Sequence, residues 1–339
     1  MRKTIFIVSL FAAFSCANPS SGKMEKPMQA ETGHIIQYDE ELGQVIDTAL
    51  RPQIIAEGYE WSEGPLWLEA SQQLLFSDVP RNTVYAWSEQ KGVSVYLQPS
   101  GYTGTEAIHT KEPGSNGLTL DPEGRLVLCQ HGNRQLACMD TTLDHPAPVF
   151  KAIATHYKDK RFSSPNDCVY SSDGELYFTD PPYGLSTQDD RAPEKEIPFN
   201  GVYKVKKNGD LVLLTDSISR PNGLAFLPGE RQLIVACSDP AQPVWYLFDV
   251  EGDRLTNRRL FHDATGHDPS WKGLPEGLKV NRKGYVFATG PGGVYIFNAR
   301  GKKLGLIHTQ DPTSNCALDD SGKTLFVTND MYVLKISLR

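Results

Sequence analysis

Short apolar stretches recur along the whole chain and are separated by polar turns. Many of these stretches run for four or five residues, either continuous or alternating with polar positions. The turns between them are rich in Gly, Pro, Asn, Asp and Ser, as in residues 121–124 (DPEG) and 172–175 (SDGE). Period-two alternation bounded by such turns is typical of β-strands. The pattern therefore predicts an all-β protein.

The stretches are organised in a block that occurs six times. Each block opens with an oxygen-bearing side chain at the head of a strand, which we call the opener. The openers are Glu63, Asn116, Asn166, Asn222, Glu276 and Asn315, at intervals of 53, 50, 56, 54 and 39 residues. A period near fifty residues with several strands per unit is typical of a β-propeller. The sequence therefore predicts a six-bladed β-propeller with four-stranded blades.

The sixth block lacks a fourth strand, because the chain ends at Arg339 just after the third. A spare strand-like stretch, residues 52–57, precedes the first opener. Pairing this stretch with the last blade would close the ring and protect two sheet edges. We therefore predict one propeller domain over residues 34–339, closed by an N-terminal strand.

The first 33 residues have the composition of an export signal and a tether. A basic start is followed by an apolar run, residues 4–14, that is too short to span a bilayer. The run ends in Ala-Phe-Ser-Cys at residues 13–16, similar to a bacterial lipobox, which predicts a lipoprotein-type signal peptide over residues 1–16 and lipidation of Cys16. Ordinary cleavage and a free periplasmic protein are the alternative. Residues 17–33 are expected to form a flexible tether.

The net charge limits the partners that the sequence allows, and the positions of the cysteines indicate which of them are buried. The formal net charge of -7, without a basic stretch, argues against a nucleic-acid partner. We expect an exported bacterial protein, periplasmic or anchored in the outer membrane through Cys16. Cys168 and Cys316 lie in predicted inner strands and are expected in the core. Cys129 and Cys138 flank a turn, so they either pair in a hairpin disulfide or stay free.

Equivalent positions of propeller blades meet at the central axis, so the six openers would face one small volume. An X-Gly pair before a strand often marks only a turn. Six openers in register around one axis, two of them Glu, instead favour a site for a hard cation, which prefers carboxylate and amide oxygens. We expect one divalent cation, Ca²⁺ first and Zn²⁺, Mg²⁺ or Mn²⁺ as alternatives. The expected metal ligands are Glu63, Asn166, Asn222 and Glu276.

Several longer strings, in this order, resemble the regucalcin, gluconolactonase and luciferin-regenerating enzyme superfamily, specifically its exported bacterial gluconolactonase-like branch. The strings begin at Glu63 (EGPLW), Ser164 (SPND), Tyr177 (YFTDPPYG) and Arg220 (RPNGLAF), among others. The resemblance implies a six-bladed propeller with one divalent ion, usually calcium, bound by Glu63, Asn166 and Asn222. At the fourth family position Glu276 stands in place of the usual Asp.

The leading expectation is a metal-dependent hydrolase that opens a sugar lactone such as gluconolactone. Lactone opening needs a polarised carbonyl, a nucleophilic water and stabilisation of the developing oxyanion. Glu276 is the first candidate to accept the proton of the water, and Asp167 is the second. Asp268 would replace Glu276 if Glu276 is not the acid of the pocket. Residues expected to contact substrate are Asn116, His131, Asp180 and Tyr183.

Three other functions remain open at this point. The same ion could support a phosphotriesterase-like hydrolysis. The protein could instead be a non-catalytic propeller that binds a sugar or another ligand, or an interaction propeller with a structural calcium. No Gly-x-Ser-x-Gly elbow is present, which argues against a serine nucleophile.

Overall fold

The computed structural model describes residues 30–339 as six antiparallel sheets arranged as the blades of one propeller. Among the described residues, the regular elements are β-strands apart from one 3-10 helix, Glu40–Gln44. The all-β, six-bladed prediction is therefore confirmed. The predicted signal peptide, Cys16 and most of the predicted tether lie outside the described residues.

The strands are numbered in chain order. Two precede the first blade: β1 (His34–Gln37) and β2 (Gln53–Glu57). Blade 1 has β3 (Ser62–Leu68), β4 (Gln73–Asp78), β5 (Thr83–Ser88) and β6 (Gly92–Leu97). Blade 2 has β7 (Ser115–Leu120), β8 (Leu126–Gln130), β9 (Gln135–Met139) and β10 (Phe150–Ala154), and a small hairpin follows, β11 (His156–Tyr157) and β12 (Lys160–Arg161).

Blade 3 has β13 (Cys168–Tyr170), β14 (Leu176–Asp180), β15 (Gly201–Val205) and β16 (Leu211–Thr215). Blade 4 has β17 (Pro221–Phe226), β18 (Gln232–Asp239), β19 (Gln242–Glu251) and β20 (Arg254–Asp263). Blade 5 has β21 (Leu278–Val280), β22 (Val286–Gly290), β23 (Gly293–Phe297) and β24 (Lys303–His308). Blade 6 has β25 (Asn315–Leu318), β26 (Thr324–Asn329) and β27 (Tyr332–Ser337).

The first strand of every blade is the inner one, and the six inner strands form the wall of the axis. Each inner strand contacts the inner strands of its two neighbours, and β25 contacts β3 to complete the ring. Each blade is a meander, so its second strand returns to the face from which the first one starts. Asp78 at the end of β4, for example, accepts the backbone N–H of Trp61 just before β3, at 3.3 Å. The openers and the ends of the second strands therefore share one face.

The ring closes as predicted, because β2 is the fourth strand of blade 6. It pairs antiparallel with β27, with Ile54 opposite Leu334. The N- and C-terminal parts of the propeller are thus held in one sheet. This arrangement covers the edge of β27, which would otherwise expose unpaired backbone groups.

The strand β1 was not predicted, and it makes blade 5 a five-stranded sheet. It pairs antiparallel with β24, with Ile35 opposite Ile307. Ile35 joins a buried cluster with Leu42 and Ile46 from the segment that follows β1. The N-terminal segment therefore contributes to two neighbouring blades.

The last residues of the predicted tether contact the propeller. The backbone N–H of Ile54 donates to the carbonyl of Ala30 at 2.8 Å, and Glu31 forms an isolated β-bridge with Gln53. Over residues 30–339, no helix combines the length and the hydropathy that crossing a membrane requires.

The hydrophobic core lies between the faces of successive blades. Cys168 and Cys316 are buried within it, as predicted from their positions in inner strands. Cys129 and Cys138 are free thiols, since the register places them opposite Leu136 and Val127 and not opposite each other.

Candidate active site

Opener side chains from different blades meet at one end of the propeller axis. The amide of Asn315 on blade 6 donates to Glu63 Oε2 on the neighbouring blade 1, at 3.2 Å. The same amide nitrogen lies 3.4 Å from Asp167 Oδ2 on blade 3. Because blade 3 stands opposite blade 6 in the ring, the second contact crosses the axis. The openers therefore surround one small polar volume.

The glycine after an opener is required by this crowding. A Cβ on Gly64 would lie 2.0 Å from the carbonyl oxygen of Asn116, and one on Gly277 would lie 1.9 Å from Cγ of Asn315. Gly117 and Gly223 are packed in the same way against the next opener. Gly64 alone among these four has a positive φ. The repeated X-Gly pair is thus explained by close approach between neighbouring blades more than by turn geometry.

Hydroxyl side chains near the ends of the second strands hold the opener backbone, and sequence reasoning missed them. Ser77 Oγ donates to the carbonyl of Asn116 at 2.9 Å, and Thr289 Oγ1 donates to the carbonyl of Gly277 at 2.9 Å. Equivalent positions carry Thr179, Ser238 and Thr328. A Ser or Thr that recurs in the second strand of five blades is a signal that could have identified this support.

Glu63 and Glu276 form a pair of adjacent carboxyl groups. Glu63 is 1% exposed, and its Oε2 also accepts the backbone N–H of Gly64 at 2.7 Å. Glu276 is partly exposed and hydrogen-bonds Glu63 through its side chain. Burial raises the pKa of both groups, and each is raised further by neighbouring negative charge, from Asp167 on Glu63 and from Glu63 on Glu276. Without a cation, the pair is expected to keep a proton near neutral pH.

Two amide oxygens at the same end of the axis are buried and accept no hydrogen bond. These are Oδ1 of Asn116 and Oδ1 of Asn166. A buried acceptor without a partner costs about 1–3 kcal/mol, so such groups in a native protein require an explanation. A hard cation would satisfy both oxygens and would neutralise the carboxylate pair. The residues present therefore fit a divalent cation.

The predicted ligand set is divided between charged and neutral oxygens. Asn222 is 3% exposed, and the adjacent Gly223 packs against the backbone of Glu276. Within residues 30–339, His, Cys, Asp and Glu side chains form no group of three or more that could hold a metal. The predicted set contains only two carboxylates, so its remaining oxygens must come from amides.

Asp167 and Asp268, the alternatives to Glu276 as catalytic acid or base, lie in different surroundings. Asp167 is buried at the axis, and its Oδ1 accepts the backbone N–H of Cys168 at 2.8 Å. Burial raises the pKa of Asp167, and the positive charge of Lys279 opposes that rise. Asp268 is exposed, and hydrogen bonds from Ser270 lower its pKa. Asp268 is therefore a turn residue and not a buried pocket acid.

Asp180 and Tyr183 follow the second strand of blade 3 and have separate roles. Asp180 is fully buried, and its two oxygens accept the backbone N–H groups of Ser163 and Ser164 at 2.9 and 2.7 Å. Asp180 thus supports the segment that leads to Asn166. Tyr183 donates its hydroxyl to the carbonyl of Ser238 at 3.0 Å. Burial and the negative charge of Glu276 raise the pKa of Tyr183.

His131 has a carboxylate partner that sequence reasoning missed. The imidazole is fully buried, and Nδ1 lies 3.3 Å from Oε2 of Glu112 in the loop between blades 1 and 2. Arg134 braces the same turn by donating to the carbonyl of Phe162 at 2.6 Å. Glu112 lies in the irregular loop that precedes β7, and no sequence pattern connects it with His131.

Because of the carboxyl pair, we expect the metal-free protein to become less stable as the pH rises. A carboxyl group whose pKa is raised on folding stabilises the fold below its ordinary pKa of 4.5, and this contribution is lost as the pH rises through the raised value. We expect a lower melting temperature at about pH 8 than at about pH 5.5, and a larger stabilisation by Ca²⁺ at the higher pH. Thermal unfolding with chelator or calcium measures both effects. Glu276→Gln should flatten the dependence, and an unchanged slope in this variant would contradict the assignment.

Comparisons with known proteins agree with the fold and identify the family. A curated gluconolactonase from Zymomonas mobilis is 37% identical over 310 residues, which cover 90% of this chain and 86% of the relative. A solved structure of a gluconolactonase from Xanthomonas campestris has a TM-score of 0.77 at 29% identity, covering 93% of this chain and 99% of that chain.

A calcium-binding protein, regucalcin, from Agrobacterium tumefaciens shares the fold, with a TM-score of 0.64 at 16% identity over 84% of this chain and 93% of that chain. The family model described as the SMP-30/Gluconolactonase/LRE-like region matches residues 61–330, which include all six openers. Propeller architecture, opener ring and family match together lead to one conclusion: this chain belongs to the SMP-30/gluconolactonase/LRE-like family.

Proposed function

We propose that the protein is a metal-dependent lactonase that opens an aldonolactone such as gluconolactone. The observation that carries the proposal is the pairing of a buried carboxyl group, Glu63, with a partly exposed one, Glu276, at the end of the axis where two amide oxygens lack hydrogen-bond partners. The similarity to gluconolactonases from two bacteria supports the same reaction class.

The residues that would hold the cation are Glu63, Asn166, Asn222 and Glu276, with Ca²⁺ the first candidate and Zn²⁺, Mg²⁺ and Mn²⁺ as alternatives. Two carboxylates against a dication give an uncharged site that can still polarise a ligand. When bound, the cation would polarise the lactone carbonyl and lower the pKa of a nearby water. The unpartnered oxygen of Asn116 would contact either the cation or a substrate hydroxyl.

The chain's own residues supply proton transfer and orientation. Glu276 is the first candidate to take the proton from the attacking water, because it is partly exposed, whereas Asp167 is buried and already hydrogen-bonded. Tyr183 would line the side of the site next to Glu276. His131 would present its unpartnered nitrogen to the substrate.

The test is a panel of aldonolactones and other lactones, followed in a pH-stat with chelator and with calcium, zinc, magnesium or manganese added. We expect hydrolysis of at least one aldonolactone that is lost with chelator and restored by one cation. Hydrolysis of a phosphotriester alone would favour the phosphotriesterase-like alternative. Binding of lactone without turnover would favour a non-catalytic propeller. Calcium binding that changes neither lactone binding nor turnover would favour a structural ion.

Substitution of Glu276 tests the departure from the usual Asp of the family. We expect Glu276→Ala to lower lactone turnover at least about tenfold, equivalent to about 1.4 kcal/mol of transition-state stabilisation. Glu276→Asp should retain or improve turnover, because it restores the shorter carboxylate. Steady-state kinetics with calorimetric titration of Ca²⁺ provide the measurement. Normal turnover and metal affinity in Glu276→Ala would show that Glu276 is neither ligand nor base.

We further propose that the protein is exported and attached to a bacterial membrane through lipidated Cys16. Stable anchoring requires more than one acyl chain, which a bacterial lipoprotein carries. We expect the wild type in the membrane fraction and Cys16→Ser in the soluble fraction, with mass analysis showing acylation of Cys16. A soluble wild type that begins at another residue would exclude the anchor and leave the proposed lactonase activity unaffected.

A further inference from the structure

We propose that His131 and Glu112 form a proton-donating dyad, in which His131 protonates the ring oxygen that leaves the opened lactone. The inference rests on the proposed lactonase function and adds the second proton transfer that this reaction needs. Glu112 is the positioning residue, because it acts through the imidazole.

The first support is the state of the imidazole. His131 is fully buried, Nδ1 lies 3.3 Å from Oε2 of Glu112 as an ion-pair contact, and neither ring nitrogen has a hydrogen-bond partner. A buried ring nitrogen without a partner is rare in a native fold and indicates a place for a ligand atom. The proton-donating form of the ring carries an N–H at both nitrogens, and the carboxylate of Glu112 would pair with the one at Nδ1.

The second support is that the dyad is held rigidly by two long loops of the opener face. Oε1 of Glu112 accepts the side-chain amide of Gln188 at 2.8 Å, which ties the loop before β7 to the loop between β14 and β15. Gly184 of that second loop lies against the ring, since a Cβ there would be 2.7 Å from Cβ of His131. The orientation of the imidazole is therefore determined by packing as well as by the carboxylate.

The third support is the position of the dyad relative to the carboxyl pair. The charge of Glu112 is among the causes that raise the pKa of Glu63 and of Glu276, after burial. His131 directly follows the second strand of blade 2 and Glu112 precedes its first strand, so both lie on the opener face. A substrate carbonyl at the carboxyl pair would place the rest of the lactone ring on the side of the loops.

The chemistry requires a second proton-transfer group. The water oxygen bonds to the carbonyl carbon, one proton of the water passes to the base, and the bond from that carbon to the ring oxygen then breaks. The ring oxygen leaves with the electron pair of that bond as a strongly basic alkoxide, so protonation during departure lowers the barrier. His131 gives its Nε2 proton to this oxygen and later recovers a proton from solvent. A base beside a cation does not readily serve as this donor.

The donor role differs measurably from a hydroxyl-binding role for His131. A group that only binds a substrate hydroxyl mainly affects KM, and Gln could partly replace it. A proton donor mainly affects kcat, and Gln cannot replace it. The donor also matters less when the leaving oxygen is a phenolate, because a phenolate departs without a proton.

The experiment compares wild type, His131→Gln, Glu112→Gln and the control His109→Gln, which alters an exposed histidine in the loop of Glu112. For gluconolactone we expect His131→Gln to lower kcat at least about a hundredfold with little change in KM, and Glu112→Gln to lower kcat about tenfold. For dihydrocoumarin, a lactone with a phenolate leaving group, His131→Gln should lose no more than about tenfold. His109→Gln should match the wild type.

Calorimetric Ca²⁺ binding and thermal unfolding of each variant report whether the site remains intact. An equal loss on both lactones, or a loss confined to KM, would overturn the dyad. If the wild type does not open dihydrocoumarin, the division between kcat and KM on gluconolactone decides alone. A wild type that opens no lactone with any cation removes the proposed function, whereas an active wild type with an unaffected His131→Gln removes only the dyad.

Discussion

Glu63→Gln should lower kcat/KM for gluconolactone by at least about a thousandfold, equivalent to about 4 kcal/mol of transition-state stabilisation. The substitution keeps the size of the side chain and removes one of the two charges proposed to hold the cation. Glu63 is more deeply buried than Glu276, so solvent cannot replace the lost oxygen charge. Steady-state kinetics at saturating Ca²⁺, with calorimetry for the affinity, measure the effect.

The matched control is Glu60→Gln, which alters an exposed carboxylate three residues before Glu63. Glu60 pairs with Arg81 at the surface, and its removal should change turnover by less than about twofold. Metal-free Glu63→Gln should be at least as stable as metal-free wild type at neutral pH, because the unfavourable ionisation of a buried carboxyl pair is removed. Unchanged turnover and calcium affinity in Glu63→Gln would exclude Glu63 as a ligand.

Deletion through residue 57 should prevent stable folding, while deletion through residue 29 should leave the propeller intact. The longer deletion removes β1 and β2, and so exposes the edges of β24 in blade 5 and of β27 in blade 6. It also removes Leu42 and Ile46, which are fully buried. Loss of each such side chain costs about 2–5 kcal/mol, a large part of the stability of a typical domain.

A third deletion, through residue 49, separates the two contributions, because it removes β1 and the 3-10 helix but keeps β2. We expect its melting temperature to fall between those of the other two proteins in thermal unfolding monitored by circular dichroism. Equal melting temperatures for the deletions through residues 29 and 57 would contradict closure of the ring by β2.

The blade architecture could be predicted from the sequence because the repeat makes each block corroborate the others. A single X-Gly pair such as Asn116-Gly117 is ambiguous, but the same pair in register at the head of successive blades is not. Ring geometry then brings the openers together without any knowledge of loops. Closure of the ring by an N-terminal strand was predicted because the sixth block lacks a fourth strand. The pairing of β2 with β27 confirms it.

Other features could not be predicted, because they depend on contacts that no local pattern records. The strand β1 is four residues long and is stabilised by packing of Ile35 in a cluster with Leu42 and Ile46. Glu112 lies in an irregular loop, and only the folded path of that loop brings it to His131. Similarly, Asp180 follows a second strand like other site residues, but its oxygens are taken by backbone N–H groups.

Asn315 contacts Asp167 across the axis, and this contact affects how a small molecule could pass through the centre of the ring. Below this polar layer, the inner strands surround a separate cavity of about 390 Å³, lined by residues such as Leu118, Tyr170 and Phe226. The side chains at the axis lie between this cavity and the opener end of the central channel. We therefore expect reactant and product to enter and leave on the opener face, past the loops of that face.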